Sequence, residues 1–357
     1  MKRVASENMY SWSAFDEKRQ IDFNGHLWVR DEGNVIIDPV PMIDSDLQQL
    51  DDLGGAAWIV LTNRDHERQA GAMRSRTGGR VVAHEHDGPL FEIPPDRTLT
   101  DGEEIVPGLR AIHLSSGKSP GEIALYWPET KLLLSGDLIV GEPLGQLSLL
   151  ADEKLADPPA AALGIRKLLA LDFDAILVGD GHSIVNDARQ RLVECLERRT
   201  DIYINKIDVD DVEWDSREEA PSGYRWESKE LDALIGARHL GYRLIRQPAA
   251  ASTFPSHFHH RGEELFVILE GSCTLCTPRG QHQVSAGEYI AFPPGPAGTH
   301  KFTNEGAEPC IMLAVGNQLA DDVCEYPDSD KVNVMALPGA RIFRKGDAVG
   351  YWHGEGA

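Results

Sequence analysis

Near residue 200 the pattern of this chain changes, and the change restricts it to two differently built domains. Before it, strand-like apolar runs at 27–29, 35–37, 58–61, 80–83, 123–126, 131–134 and 175–178 are interleaved with helix-like stretches at 44–53, 65–77, 159–170 and 184–199. Such mixing predicts a layered α/β domain whose sheets are covered by helices. After it, helical periodicity nearly vanishes. Short β-rich runs follow at 242–246, 264–269, 272–277, 281–284, 289–292, 300–303 and 310–315, several of them separated by Gly- and Pro-rich turns. That spacing predicts an antiparallel sandwich or small barrel. A chain of 357 residues is long enough for both. Between them lies an acidic stretch with Asp208, Asp210, Asp211, Glu213, Asp215, Glu218 and Glu219, closed by Pro221-Ser222-Gly223. The expected division is therefore 1–200, an acidic linker 201–230, and 231–357.

Charge and composition narrow the partners. With 35 Lys+Arg against 57 Asp+Glu, the formal net charge of −22 opposes binding to nucleic acid or to an anionic membrane surface. No apolar run approaches the roughly 18 residues of a membrane helix. The polar start, Met1 to Asn8, does not read as a signal peptide. Five cysteines exclude a full disulfide framework. Cys273 and Cys276 form a CxxC, but on a strand they point to opposite faces, so two reduced structural thiols are expected. These features fit a cytoplasmic protein acting on a small-molecule ligand.

Five of the thirteen histidines fall between His257 and His300. His257 and His259 are two apart and share a strand face. After a turn at Arg261-Gly262, Glu264 begins the next strand, its side chain on the face of Phe266 and Ile268. His300 follows a Pro/Gly loop as a fourth candidate. Imidazoles and a carboxylate together suit a divalent transition metal, namely Fe, Mn, Ni, Cu or Zn. Three neutral imidazoles and one carboxylate would leave such an ion with about one net positive charge and open positions for an anion, water or dioxygen. His260 and Glu263 should face outward, and His282 should lie on the surface.

This arrangement resembles the cupins over residues 240–316. Their first motif has a leading Gly, an HxH, a Glu and a Gly. Here it reads His257-x-His259, four residues, Glu264, six residues, Gly271, with the leading Gly absent. The second reads Gly287, Pro293-x-Gly295, His300 and Asn304, with two extra residues before His300. The resemblance implies a double-stranded β-helix barrel, one metal on His257, His259, Glu264 and His300, and a homodimer paired through its sheets.

Residues 10–200 resemble the metallo-β-lactamase-like hydrolases, which fold as an αββα sandwich. Those enzymes carry a THxHxDH loop, a GHSPG-type loop, an Asp after a strand, and a final His. Here the first loop is Thr62-Asn63-Arg64-Asp65-His66-Glu67-Arg68, so Asn63, Asp65, Glu67 and Arg68 stand at the ligand positions. Lys118 replaces the His of the second loop. Asp137 matches the bridging Asp, and either Asp180 or His182 fits the last position. The resemblance therefore implies a degenerate site. Arg68 and Lys118 would form ion pairs with Asp65, Glu67, Asp137 and Asp180 in place of a two-metal cluster. Its alternatives are a single ion on His66, Asp137 and His182, or Lys118 or His66 serving as a general base. The lone histidines His26, His113 and His353 read as structural, and His84-Glu85-His86 as a surface loop.

Three functions follow as expectations. The first is a metal-dependent cupin acting on a small anionic molecule, beside a non-catalytic hydrolase-like domain. The second is a non-enzymatic binding or sensing protein. The third is a hydrolase using the altered site of the first domain.

Overall fold

The computed structural model describes residues 1–216, 221, 223–237, 239–336 and 341–355. Glu218, Glu219 and Ser222 of the acidic stretch lie outside the described residues. The chain divides into two compact units, Met1–Ile204 and Asn205–Ala357.

In the first unit, one sheet runs in chain order: β1 (Lys2–Arg3), β2 (Met9–Asp16), β3 (Ile21–Trp28), β4 (Val35–Ile37), β5 (Trp58–Val60), β6 (Arg80–His84) and β7 (Arg97–Leu99). Its first half is antiparallel, and β4 to β7 are parallel. The second sheet has β8 (Glu104–Val106), β9 (Leu109–His113), β10 (Ile123–Trp127), β11 (Leu132–Ser135) and, after the ribbon β12 (Ile139–Val140) and β13 (Ser148–Leu149), β14 (Ala175–Val178) parallel to β11.

Alternation along β10 shows why these are buried layers. Ile123, Leu125 and Trp127 pack into a core between the sheets with Trp28, Val60 and Val82. Ala124 and Tyr126 point the other way, under helices α3 (Pro158–Ile165) and α4 (Ala188–Glu197). Leu50 of α1 (Asp44–Asp52) and Ala70 and Met73 of α2 (Ala70–Thr77) cover the far side of the first sheet. The unit is an αββα sandwich. The helix expected over 65–77 is split, because Arg64–His66 form a 3₁₀ turn and α2 starts at Ala70. That turn lifts His66 out of a helix face and into the interior.

The second unit is all β. One sheet is ordered β15 (Asp215–Ser216), β16 (Glu227–Glu230), β17 (Leu240–Gln247), β25 (Cys310–Asn317), β20 (Glu264–Glu270), β23 (Tyr289–Phe292). A second is ordered β18 (Ala251–Ser252), β24 (Lys301–Asn304), β21 (Ser272–Thr277), β22 (Gly280–Ser285). A third joins β19 (Phe258–His259) to β26 (Val323–Tyr326), β27 (Lys331–Val334) and β28 (Arg341–Arg344). Phe266, Ile268, Leu275, Phe302 and Met312 fill the barrel. The segment expected as a linker differs here. Its strands β15 and β16 extend the β17 edge, with Lys229 buried and donating to the Val209 carbonyl. Ladder pairing and that buried lysine tie an acidic segment down that composition alone reads as solvated.

Candidate metal centre and a charge-paired cluster

Among the described residues, each unit gathers chemistry-bearing side chains, and the main cluster of each spends its histidine nitrogens differently.

In the first unit the strands of both sheets end at one edge, and the loops leaving them carry the cluster. Asp38 follows β4, Thr62 to Arg68 follow β5, Lys118 and Glu122 lie between β9 and β10, Asp137 follows β11, and Asp180 follows β14. His66 is at the centre and fully buried. Its Nδ1 lies 2.9 Å from Asp38 Oδ2, and its Nε2 lies 2.8 Å from Asp137 Oδ1. Nδ1 donates to Thr62 Oγ1 at 3.0 Å, Nε2 donates to Asp137, and a carboxylate beside each nitrogen favours the imidazolium. Burial opposes that charge, but Asp38 and Asp137 outweigh it and raise the pKa to about 10.

Asp137 is held from its other oxygen by Lys118 Nζ at 2.6 Å, and the same ammonium reaches Asp65 Oδ2 at 2.5 Å. Burial works against the Asp137 carboxylate, yet His66 and Lys118 keep it far below the ordinary range. Asp38 is likewise lowered despite burial, by His66 and by the Thr62 amide and hydroxyl, which donate to it. Arg68 Nη2 donates to Asp180 Oδ1 at 3.2 Å, with its guanidinium 4.6 Å from the Phe23 ring centroid. Gly136 lets the loops close, because a Cβ there would sit 2.6 Å from Thr62 Oγ1.

Several expected positions are corrected. Glu67 points away and accepts from the amides of Glu92 and Ile93, capping that loop. His182 is exposed, and its backbone pairs with Gly141, so Asp180 rather than His182 joins His66 and Asp137. Asn63 is buried but accepts from the Asp65 amide, which turns its oxygen into the loop. His66 could not serve as a general base while both nitrogens donate, and Lys118 is held protonated, its pKa raised by Asp137 and Asp65 against the cost of burial. Sequence reasoning missed Asp38 and Glu122. Glu122 is fully buried, and burial followed by the nearby Asp137 charge pushes its carboxyl up to about 8.

Of the segment expected as a surface loop, Glu85 and His86 are exposed and His84 is not. His84 is 2% exposed at the end of β6 and meets His86 and His113. Burial, then His113 and His86, lower its pKa to about 4. His84 and His113 stack at 4.2 Å and 9°, with His113 Nε2 donating to the Pro120 carbonyl. A ring nitrogen of each of the three lies within 4.8 Å of the others, and His113 Nε2 is already spent on the Pro120 carbonyl.

In the second unit His257, His259, Glu264 and His300 come together. His257 and His300 form an isolated bridge that places both imidazoles at one level, and β19 and β20 bring His259 and Glu264 to it. Their Nε2 atoms lie 4.0, 3.6 and 3.5 Å from Glu264 Oε2 for His257, His259 and His300. The other ring nitrogens are all engaged. His257 Nδ1 donates to the Pro255 carbonyl at 2.9 Å, His300 Nδ1 to the Gly298 carbonyl at 2.9 Å, and His259 Nδ1 to Asp322 Oδ2 at 2.7 Å. Each Nδ1–H is thereby fixed, and each Nε2 turns a lone pair inward. Glu264 Oε2 and the buried His300 Nε2 have no hydrogen-bond partner. Burial lowers His257 to about 4 and His300 to about 3, and it raises Glu264. Phe292 stacks on His300 at 3.7 Å and fixes its ring. His260, Glu263 and His282 are exposed.

Asp322 and Arg243 are the residues missed here. Asp322 lies 63 residues from His259, beyond the reach of any local pattern. Arg243 on β17 shares a cavity of about 250 Å³ with Glu264 and packs 5.3 Å from the Phe254 ring centroid.

An αββα sandwich with loop residues at one edge, and a small barrel with inward imidazoles, define the two classes of domain. The family models agree: the metallo-beta-lactamase superfamily matches residues 1–198 and the cupin domain residues 243–316. The chain belongs to the metallo-beta-lactamase superfamily and carries a cupin domain. A linear primary-alkylsulfatase from a Pseudomonas species is 29% identical over 132 residues, which is 36% of this chain and 24% of that protein. The chain thus spans about a quarter of that relative's length. A metallo-beta-lactamase from Pontibacter korlensis matches at 18% identity and TM-score 0.46, over 56% of this chain and 98% of its own. A sugar phosphate isomerase of the cupin superfamily from Silicibacter pomeroyi matches at 26% identity and TM-score 0.37, over 40% and 94%.

Proposed function

We propose that the cupin unit is the working site, a divalent transition-metal centre on His257, His259, Glu264 and His300 that receives a small anionic molecule. The observation carrying this is the set of three inward Nε2 lone pairs around a carboxylate oxygen that lacks any other partner. Buried polar atoms left so cost free energy unless a ligand satisfies them. When bound, a divalent ion would supply Lewis-acid polarisation of a ligand oxygen. Asp322 holds the His259 ring in its orientation. Arg243, which pairs with Glu230 at 3.4 Å, places a guanidinium in the cavity beside Glu264 that could turn to a carboxylate or phosphate.

The first unit keeps its fold without a two-metal centre, because its cations are its own side chains. A hydrolase reading needs a base there, and the carboxylates already hold His66 and Lys118 protonated. The test is ligand binding by the metal-loaded protein. Arg243→Met should weaken a small carboxylate or phosphate about 10- to 100-fold, the value of one charged hydrogen bond. Unchanged affinity would contradict the role of Arg243. With a substrate identified, turnover lost in His259→Ala and kept in Asp137→Asn would assign catalysis to the cupin. Binding without turnover would assign a sensor.

A further inference from the structure

The third sheet of the second unit approaches the cupin cluster through one strand. β26 pairs antiparallel with β19, with Cys324 opposite His259 and Glu325 opposite Phe258. Directly paired residues share a face of the ladder, so Cys324 lies on the His259 side. Asp322 and Tyr326, two residues to either side, lie on that face too. Asp322 takes the His259 hydrogen bond, and the Tyr326 ring lies 6.0 Å from His257 at 29°. Cys324 is 2% exposed and unoxidised. Its sulfur and a ligating nitrogen of each of His257 and His259 lie within 4.8 Å of one another. His257 also belongs to a second such group with Glu264 and His300, whose buried Nε2 has no hydrogen-bond partner.

We propose that Cys324 Sγ is a further donor at the cupin centre, closing one of the positions that His257, His259, Glu264 and His300 leave open. This rests on the metal-centre reading above. A sulfur–metal bond forms, the thiol proton leaves to solvent, and no oxidant is needed. Two consequences follow. A thiolate cancels the roughly single positive charge left by three imidazoles and one carboxylate, so the metal attracts an anion less strongly. Sulfur also favours the softer Fe, Ni, Cu and Zn over Mn among the candidate metals.

The test uses the full chain loaded with Co²⁺. A thiolate donor gives a near-ultraviolet sulfur-to-cobalt charge-transfer band, separate from the visible ligand-field bands. The wild type should show both. Cys324→Ala should keep the visible bands and lose the charge-transfer band. Cys324→Ser, which keeps the volume, should do the same if the alanine variant folds poorly. Cys276→Ala should keep both bands, since Cys276 is not in the cluster. Cobalt uptake without the band, or a band surviving loss of Cys324, overturns the thiol donor and leaves the metal centre standing. No cobalt uptake overturns both.

Discussion

At the scale of single residues, the two clusters differ in where their histidine lone pairs go. His66 donates from Nδ1 to the Thr62 hydroxyl and from Nε2 to Asp137, and has no lone pair to give. His257, His259 and His300 each spend Nδ1–H on a carbonyl or carboxylate and aim Nε2 inward. Removing one member of the first cluster strands buried charge. Asp137→Asn leaves His66 and Lys118 each short of a carboxylate and should destabilise the first unit by about 3–5 kcal/mol. Denaturant unfolding checks this, and a loss under about 1 kcal/mol would mean the pairs are worth little. In the second cluster Asp322→Ala frees the His259 ring while leaving all four proposed donor atoms in place. Metal affinity should fall about 10- to 100-fold in chelator competition. An unchanged affinity would show that the ring needs no such support.

At the scale of elements, strand ends and turns decide what meets. The chain leaving β12 packs against the loop after β14 so tightly that a Cβ on Gly141 would lie 2.0 Å from the His182 carbonyl oxygen. Gly141→Ala must move backbone in the segment carrying Asp180, at a cost of about 1–3 kcal/mol. Thermal melting measures it, and a wild-type melt would show that the loop yields freely. The same packing explains what the sequence disclosed. Both fold classes were legible from the switch near residue 200, because strand and helix periods are local. The gathering of His257, His259 and Glu264 was legible too, since HxH and Glu264 sit on neighbouring strands at fixed spacing. The first site was only partly legible. Its loop aligned on Thr62, but a 3₁₀ turn brings in His66 and sends Glu67 out to the 92–93 amides. Asp38, Asp322 and Arg243 reach their sites across sheets, and no spacing in the chain encodes that. The burial of His84 and the pairing of β15 and β16 were hidden for the same reason.

At the scale of the whole molecule, charge is stored differently in each unit, and pH should separate them. His66 has a folded pKa of about 10 against an ordinary 6.5, so its contribution is complete below 6.5 and is lost as pH rises through 10. Glu122, at about 8 against 4.5, gives a loss of the same sign beginning lower. Asp38 and Asp137 are lowered, so their contributions hold above about pH 4 and vanish below it. The first unit should therefore lose stability steadily from about pH 6.5 to 10, by a few kcal/mol. Amide exchange at β10 and β11 localises the effect, and a flat profile over that range would contradict an ionised His66.

The central claim is that one unit pairs its charges internally and the other holds the metal. Elemental analysis of three proteins tests it: wild type, Asp137→Asn, and His257→Ala/His259→Ala, each equilibrated with a divalent transition metal and then desalted. The account predicts one tightly bound ion per chain in the wild type, the same in Asp137→Asn, and none in the double variant. Two or more ions per chain, or an ion that survives the double variant and is lost from Asp137→Asn, would contradict it.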